Sequence, residues 1–178
     1  MDNYAARQDK YERFKRECME RAKPDIIIWG PGPSFERLYE KKKCVKAAIK
    51  REVPKGDVAF PEDPKMVKLI RKVFGDVDVD VMEQIEALHA DIIIVLDLSP
   101  AVGEEVARYS TNPRIASKLF VVTSYANKSG YQKAVRNKPV VRDLKGHSMD
   151  SCDEPIEVCV NHVRSWCILD GLREASRP

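Results

Sequence analysis

The stretch Ala90-Asp91-Ile92-Ile93-Ile94-Val95-Leu96-Asp97-Leu98-Ser99-Pro100-Ala101-Val102-Gly103-Glu104-Glu105 decides the fold. Its apolar run is far too short to span a bilayer and suits a strand buried on both faces, as in a parallel sheet. Ser99-Pro100 then starts a helix through about Tyr109. A second run of the same kind, Asp25-Ile26-Ile27-Ile28-Trp29, ends in the tight turn Gly30-Pro31-Gly32-Pro33. Beyond it, Ser34 is the expected N-cap of a helix reaching about Arg51, with Leu38, Val45, Ala48 and Ile49 on its buried side.

Working outward, residues 57–60, 118–124 and 139–141 read as further strands. Helical stretches are expected over 66–74, over 80–90 with Val81, Ile85 and Leu88 on one face, around 132–135, and over 154–172. The last carries an apolar stripe of Ile156, Cys159, Val160, Val163, Trp166 and Cys167. Strands alternating with helices predict an α/β fold, a flavodoxin-like doubly wound five-stranded parallel sheet with helices on both faces. Residues 1–24 form an expected helical extension, with Tyr11, Phe14 and Met19 at helical spacing and Pro24 as its stop. Residues 25–178 form the α/β domain.

Composition excludes several classes of function. The chain has 178 residues with 31 basic and 28 acidic side chains, a net charge of +3 that is too weak to argue for nucleic acid. The one basic cluster, Lys41-Lys42-Lys43 with Lys46, Lys50, Arg51 and Lys55, reads as a solvated helix face and lacks interleaved aromatics. The five cysteines form no CxxC pair, and the three histidines have no ligand spacing, so neither a zinc site nor any other metal is expected. A charged N-terminus, Met1-Asp2-Asn3-Tyr4, predicts no signal peptide, no membrane association and a cytoplasmic location.

Three segments follow strands and therefore share one rim of the sheet. They are Gly30 to Ser34, continuing to Arg37 and Tyr39; Phe60-Pro61-Glu62-Asp63; and Asp97 to Glu105. Two lead into helix N-termini, whose free N–H groups favour anions. The glycines do not form GxGxxG, and GK[ST] is absent, which disfavours dinucleotide binding of the usual kind and nucleotide triphosphate hydrolysis.

This ordered set, over roughly residues 25–143, resembles the nucleoside 2-deoxyribosyltransferase-like superfamily. That group includes deoxyribosyltransferases and nucleotide N-glycosidases, and is distantly similar to TIR-domain NAD-cleaving enzymes. The resemblance rests on Gly30-Pro31-Gly32 with Arg37 and Tyr39, on Phe60-Pro61-Glu62-Asp63, on Ala90-Asp91-Ile92-Ile93-Ile94-Val95, and on Ser99-Pro100-Ala101-Val102-Gly103-Glu104-Glu105-Val106-Ala107. It implies that Glu105 is the nucleophile, Glu83 the helper carboxylate with Asp80 as runner-up, and Tyr39 the hydroxyl near the glutamate. It also implies that Gly30, Gly32, Arg37, Asp97, Ser99 and Gly103 border the substrate. Glu83 stands where the family more often has Asp, and Ala107 where it often has Gly.

The expected function is cleavage or transfer of the N-glycosidic bond of a nucleoside or nucleotide, with no cofactor and with a homo-oligomer completing the site. The alternatives are a non-catalytic nucleotide-sensing module, a TIR-like NAD glycohydrolase, and an assembly protein using its terminal helices. The leaving base needs a proton, and neither His89 nor His147 is clearly placed to give it.

Overall fold

The computed structural model describes residues 2–97, 100–124, 140–144 and 153–176. Within these, five strands lie parallel: β1 (Asp25–Trp29), β2 (Asp57–Ala59), β3 (Ile92–Asp97), β4 (Leu119–Ser124) and β5 (Val140–Leu144). Their order across the sheet is β2-β1-β3-β4-β5, so the chain reverses its direction of travel between β1 and β3. In register, Ile26 to Trp29 of β1 face Ile92 to Val95 of β3.

Successive side chains of a strand point to opposite faces, and each isoleucine run therefore feeds two cores. Ile26, Ile28, Ile92, Ile94, Leu96, Phe120 and Val122 belong to one apolar cluster. Ile27, Trp29, Ile93, Val95, Leu119 and Val121 belong to the other. Burial of each such side chain contributes roughly 1.5–3 kcal/mol, which is why unbroken apolar runs settle in the middle of the sheet rather than at its edges.

Helices cover both faces. On the first lie α1 (Asp2–Arg21), α2 (Glu36–Glu52) and α7 (Asp153–Ala175). On the second lie α4 (Val79–His89), α5 (Pro100–Tyr109) and the short α6 (Pro113–Ala116). The stripe of α7 is inward as its spacing predicts: Cys159, Val160, Val163 and Cys167 are buried, with Ile156 and Trp166 packed beside them. Met19 and Ala22 tie the end of α1 into the same core. Between α2 and α4, α3 (Pro64–Phe74) buries only Ile70.

Three expectations change, and one helix is new. Ser34 does not cap α2; Phe35 holds that position without a side-chain bond, and the helix begins at Glu36. The inner face of α4 carries Met82, Glu86 and Ala87, whereas Val81 is 42% exposed. Packing of α4 on Trp29 and the β1 end turns the helix so that small Ala87 meets the sheet. The lysine run is not a wholly solvated face, because Lys41 and Lys42 are buried. The α6 turn was absent from the sequence reading; the Asn112 side chain caps it by accepting from Arg114 N–H.

Candidate functional site

A cleft of 330 Å³ opens beyond the carboxyl ends of β1 and β2. Trp29 and Gly30 come from the end of β1, Pro61 and Glu62 from the segment after β2, and Lys42 from α2. Val67 and Arg71 of α3, and Val79, Met82, Glu83 and Glu86 of α4, complete the wall. Parallel α/β sheets place their ligands at this rim, and the volume falls within the range of small-molecule sites. A larger hollow of 690 Å³ lies between α1 and α7 beside Lys23 and Asp91, which precede β1 and β3. It is therefore at the opposite edge of the sheet, beside the amino ends of the strands.

Gly30 has a steric reason for its identity. A Cβ there would sit 3.3 Å from both the Cβ and the carbonyl oxygen of Leu96, so a side chain would push β1 and β3 apart. Gly32 has nothing within 4 Å of such an atom and brings no equivalent constraint.

Glu83 is oriented from α5. The Tyr109 hydroxyl donates to Glu83 Oε2 at 2.7 Å and accepts from Arg108 at 2.7 Å. Arg108 is itself anchored on Asp80 at 2.7 Å, and the Tyr109 ring lies 4.8 Å from that of Trp29. Burial first, then the bond to Glu83, pushes the Tyr109 phenol well above its ordinary range. It stays a neutral donor.

On the opposite wall, Lys42 Nζ bonds both oxygens of Glu62, at 2.7 and 3.0 Å. Lys46 bonds Asp63 at 2.7 Å, and Asp63 also accepts from the Phe60 N–H. Burial works against ionisation of Asp63, but these bonds outweigh it and hold its carboxyl below the ordinary value. Lys42 and Lys46 also lie over the Phe60 ring, at 4.6 and 4.2 Å. The lysine run thus clamps the segment that follows β2.

Deeper in the cleft, Glu86 is 5% exposed, and neither of its carboxyl oxygens has a hydrogen-bond partner among the described residues. Burial, followed by the charges of Glu83, Asp25, Glu62 and Asp63, pushes its carboxyl up to about 8. A buried carboxyl without partners adopts its neutral form, because ionising it there would cost several kcal/mol. Trp29 Nε1, also buried and also bordering the cleft, is the other group in this region without a partner among the described residues.

The residues expected at the site are therefore only partly together. Gly30 and Glu83 line the cleft, whereas Asp80 is off its wall and linked to Glu83 through Arg108, which bonds Asp80 at 2.7 Å and lies 3.8 Å from Glu83. Tyr39 stands apart: its ring lies 5.8 Å from that of Phe60, on the side of the first core, and burial raises its phenol. Arg37 and Gly32 are not on the wall either. Gly103 is buried inside α5. The side chains of Glu105 and Asp97 and the whole of Ser99 lie outside the described residues, as do His147 and the helix expected around 132–135. The backbone of Glu105 belongs to α5, three residues after Val102 and four before Tyr109, both buried.

Glu86 and Tyr109 were not singled out by the sequence, and Lys42 was expected on a solvated face. Met82, Glu86 and Ala90 recur at i, i+4 and i+8, the one signal that would have placed a carboxyl on the inner face. His89 is exposed, and His162 stacks on Phe120 at 3.8 Å. Among the described residues no three His, Cys, Asp or Glu side chains are placed to hold a metal, and no helix is long and apolar enough to cross a membrane. No protein-family model matches this chain, and no curated protein matches it at a significant level.

Proposed function

We propose that this chain cleaves or transfers the N-glycosidic bond of a nucleoside or nucleotide. Glu105 is the attacking carboxylate and Glu83 the carboxylate that aligns it or the sugar hydroxyls. One observation carries the reading: the cleft at the strand ends presents a glutamate, Glu83, held in place by the Tyr109 hydroxyl beside the close-approach glycine, Gly30. Glu105 stands on α5, the same helix that carries Tyr109. The strand order is that of flavodoxin-like doubly wound sheets, whose ligands sit beyond the carboxyl ends near the reversal. Those facts agree with the resemblance to the nucleoside 2-deoxyribosyltransferase-like superfamily.

The chemistry follows from residue type. A carboxylate attacks C1′ as the base departs, through an oxocarbenium-like transition state, and the glycosyl-enzyme is released to water or to a second base. Asp97 at the end of β3 and Ser99 before α5 border the sugar or its phosphate, as the resemblance implies. A cytoplasmic homo-oligomer is part of the same proposal.

The test is to incubate the protein with deoxynucleosides, nucleoside 5′-monophosphates and NAD, and to follow free base by chromatography. Release is expected, and Glu105→Gln is expected to lower it by several orders of magnitude. Absence of release from every compound, or full release by Glu105→Gln, overturns the assignment. Ligand-dependent melting shifts without turnover point instead to a nucleotide-sensing module, and release confined to NAD points to a glycohydrolase.

A further inference from the structure

We propose that Glu86 is the acid that protonates the departing base, an inference that rests on the glycosidic reading of this cleft. Departure of a purine or pyrimidine as an anion is slow, and an N-glycosidase needs a proton donor at the base. Glu86 has the required properties. It lines the cleft three residues along α4 from Glu83, so the two carboxyls share a helix face while their surroundings differ. Glu83 accepts a hydrogen bond from Tyr109, whereas both Glu86 oxygens lack a partner among the described residues. Two carboxyls in one site with unlike environments are the pattern of an acid paired with a carboxylate.

The charged groups around Glu86 come from several elements. Glu83 on α4, Asp25 on β1, and Glu62 and Asp63 after β2 all oppose its ionisation, and burial does so most. Of the cations on the cleft wall, Lys42 is committed to both oxygens of Glu62, and Arg71 lies on exposed α3 within 3.7 Å of Asp76. Glu86 therefore holds its proton to about pH 8.

The step balances. As the attacking carboxylate forms its bond to C1′, the C1′–N bond breaks and its electron pair goes to the base nitrogen. That nitrogen takes the proton from Glu86, which becomes a carboxylate. In the second half, water attacks C1′ and gives its proton to Glu86, or an incoming base gives up its N–H proton in the same way. The attacking carboxylate leaves, and both side chains return to their starting forms.

The experiment compares Glu86→Gln with wild type on two compounds that carry the same sugar. One is the nucleoside or nucleotide that wild type cleaves best; the other is the matching p-nitrophenyl glycoside, whose leaving group departs without a proton. The expected result is a loss in kcat/KM, which reports the step in which the leaving group departs, of about 10²–10⁴ on the first and of less than about tenfold on the second. Wild-type kcat/KM on the natural compound should be full at neutral pH and fall as pH rises through about 8. The p-nitrophenyl compound should show no such limb. Equal losses in kcat/KM on both compounds, or no loss on either, overturns the acid assignment while leaving the glycosidic reading intact. Should Glu86→Gln not fold, the wild-type profile decides, and the same alkaline limb on both compounds, or on neither, overturns it. Wild type inert toward every compound overturns the reading of the cleft and the acid role with it.

Discussion

Lys42 and Glu62 form an ion pair in which the ammonium reaches both carboxylate oxygens, at 2.7 and 3.0 Å, from a lysine side chain that is 1% exposed. The glutamate is 33% exposed, so water screens part of the attraction. The asymmetry makes a prediction. Glu62→Ala removes the carboxylate paired with a buried ammonium and should cost about 2–4 kcal/mol, near or below the 3–5 kcal/mol of fully buried pairs. Adding Lys42→Met removes the buried charge as well and should recover more than half of the loss. Urea denaturation of wild type, both single variants and the double variant measures this; an additive double variant would show that the pair carries no coupling.

Glu86 predicts a stability that depends on pH. Its folded value of about 8 lies above the ordinary glutamate value of 4.5. Between those limits the native chain holds a proton that the unfolded chain has lost. The stabilisation from this group is complete below about pH 4.5 and is lost as pH rises through about 8. Wild type should therefore lose up to about 1.4 kcal/mol per pH unit across that window relative to Glu86→Gln. The difference between the two stability curves isolates the effect from all other groups. Parallel curves would place the Glu86 carboxyl in its ordinary range.

Tyr109→Phe removes the hydroxyl that links Arg108 to Glu83 but keeps the ring against Trp29. A stability loss of about 1 kcal/mol is expected for that hydrogen bond. Glu83 would lose its fixed orientation, and base release should fall about ten- to a hundredfold, mainly in kcat. Thermal melts and steady-state kinetics separate the two effects. Unchanged kinetics would show that Glu83 needs no partner.

The two glycines of the first turn should behave differently. Gly30→Ala places its Cβ 3.3 Å from Leu96 atoms of the neighbouring strand, and about 1–3 kcal/mol of destabilisation is expected from the overpacking. Gly32→Ala meets nothing within 4 Å and should lie within about 0.5 kcal/mol of wild type. Equal effects would mean that the close approach of β1 and β3 relaxes freely.

Local chemistry made the strands, most of the helices and the sheet class legible. Ile26-Ile27-Ile28 and Ile92-Ile93-Ile94 can bury every residue only by standing between two cores. The α7 stripe was equally plain, because its apolar residues repeat at helical spacing over several turns. The α4 face was read wrongly at Val81, since a short helix with apolar residues on several sides leaves its rotation undetermined until a neighbour selects one. The rim of glycines and carboxylates was visible for a similar reason to the strands: it follows them in the chain.

The amino-acid sequence by itself determined where the strands lie and which way the sheet is layered. Only the tertiary structure decided which carboxyl is buried without a partner, that Tyr109 rather than Tyr39 reaches a glutamate, and that Lys42 turns inward to Glu62. The reason is physical. Apolar burial is set by periodicity along the chain, whereas the protonation and pairing of a side chain depend on charges brought together from distant segments, as β1, α2, α4 and the turn after β2 are around Glu86.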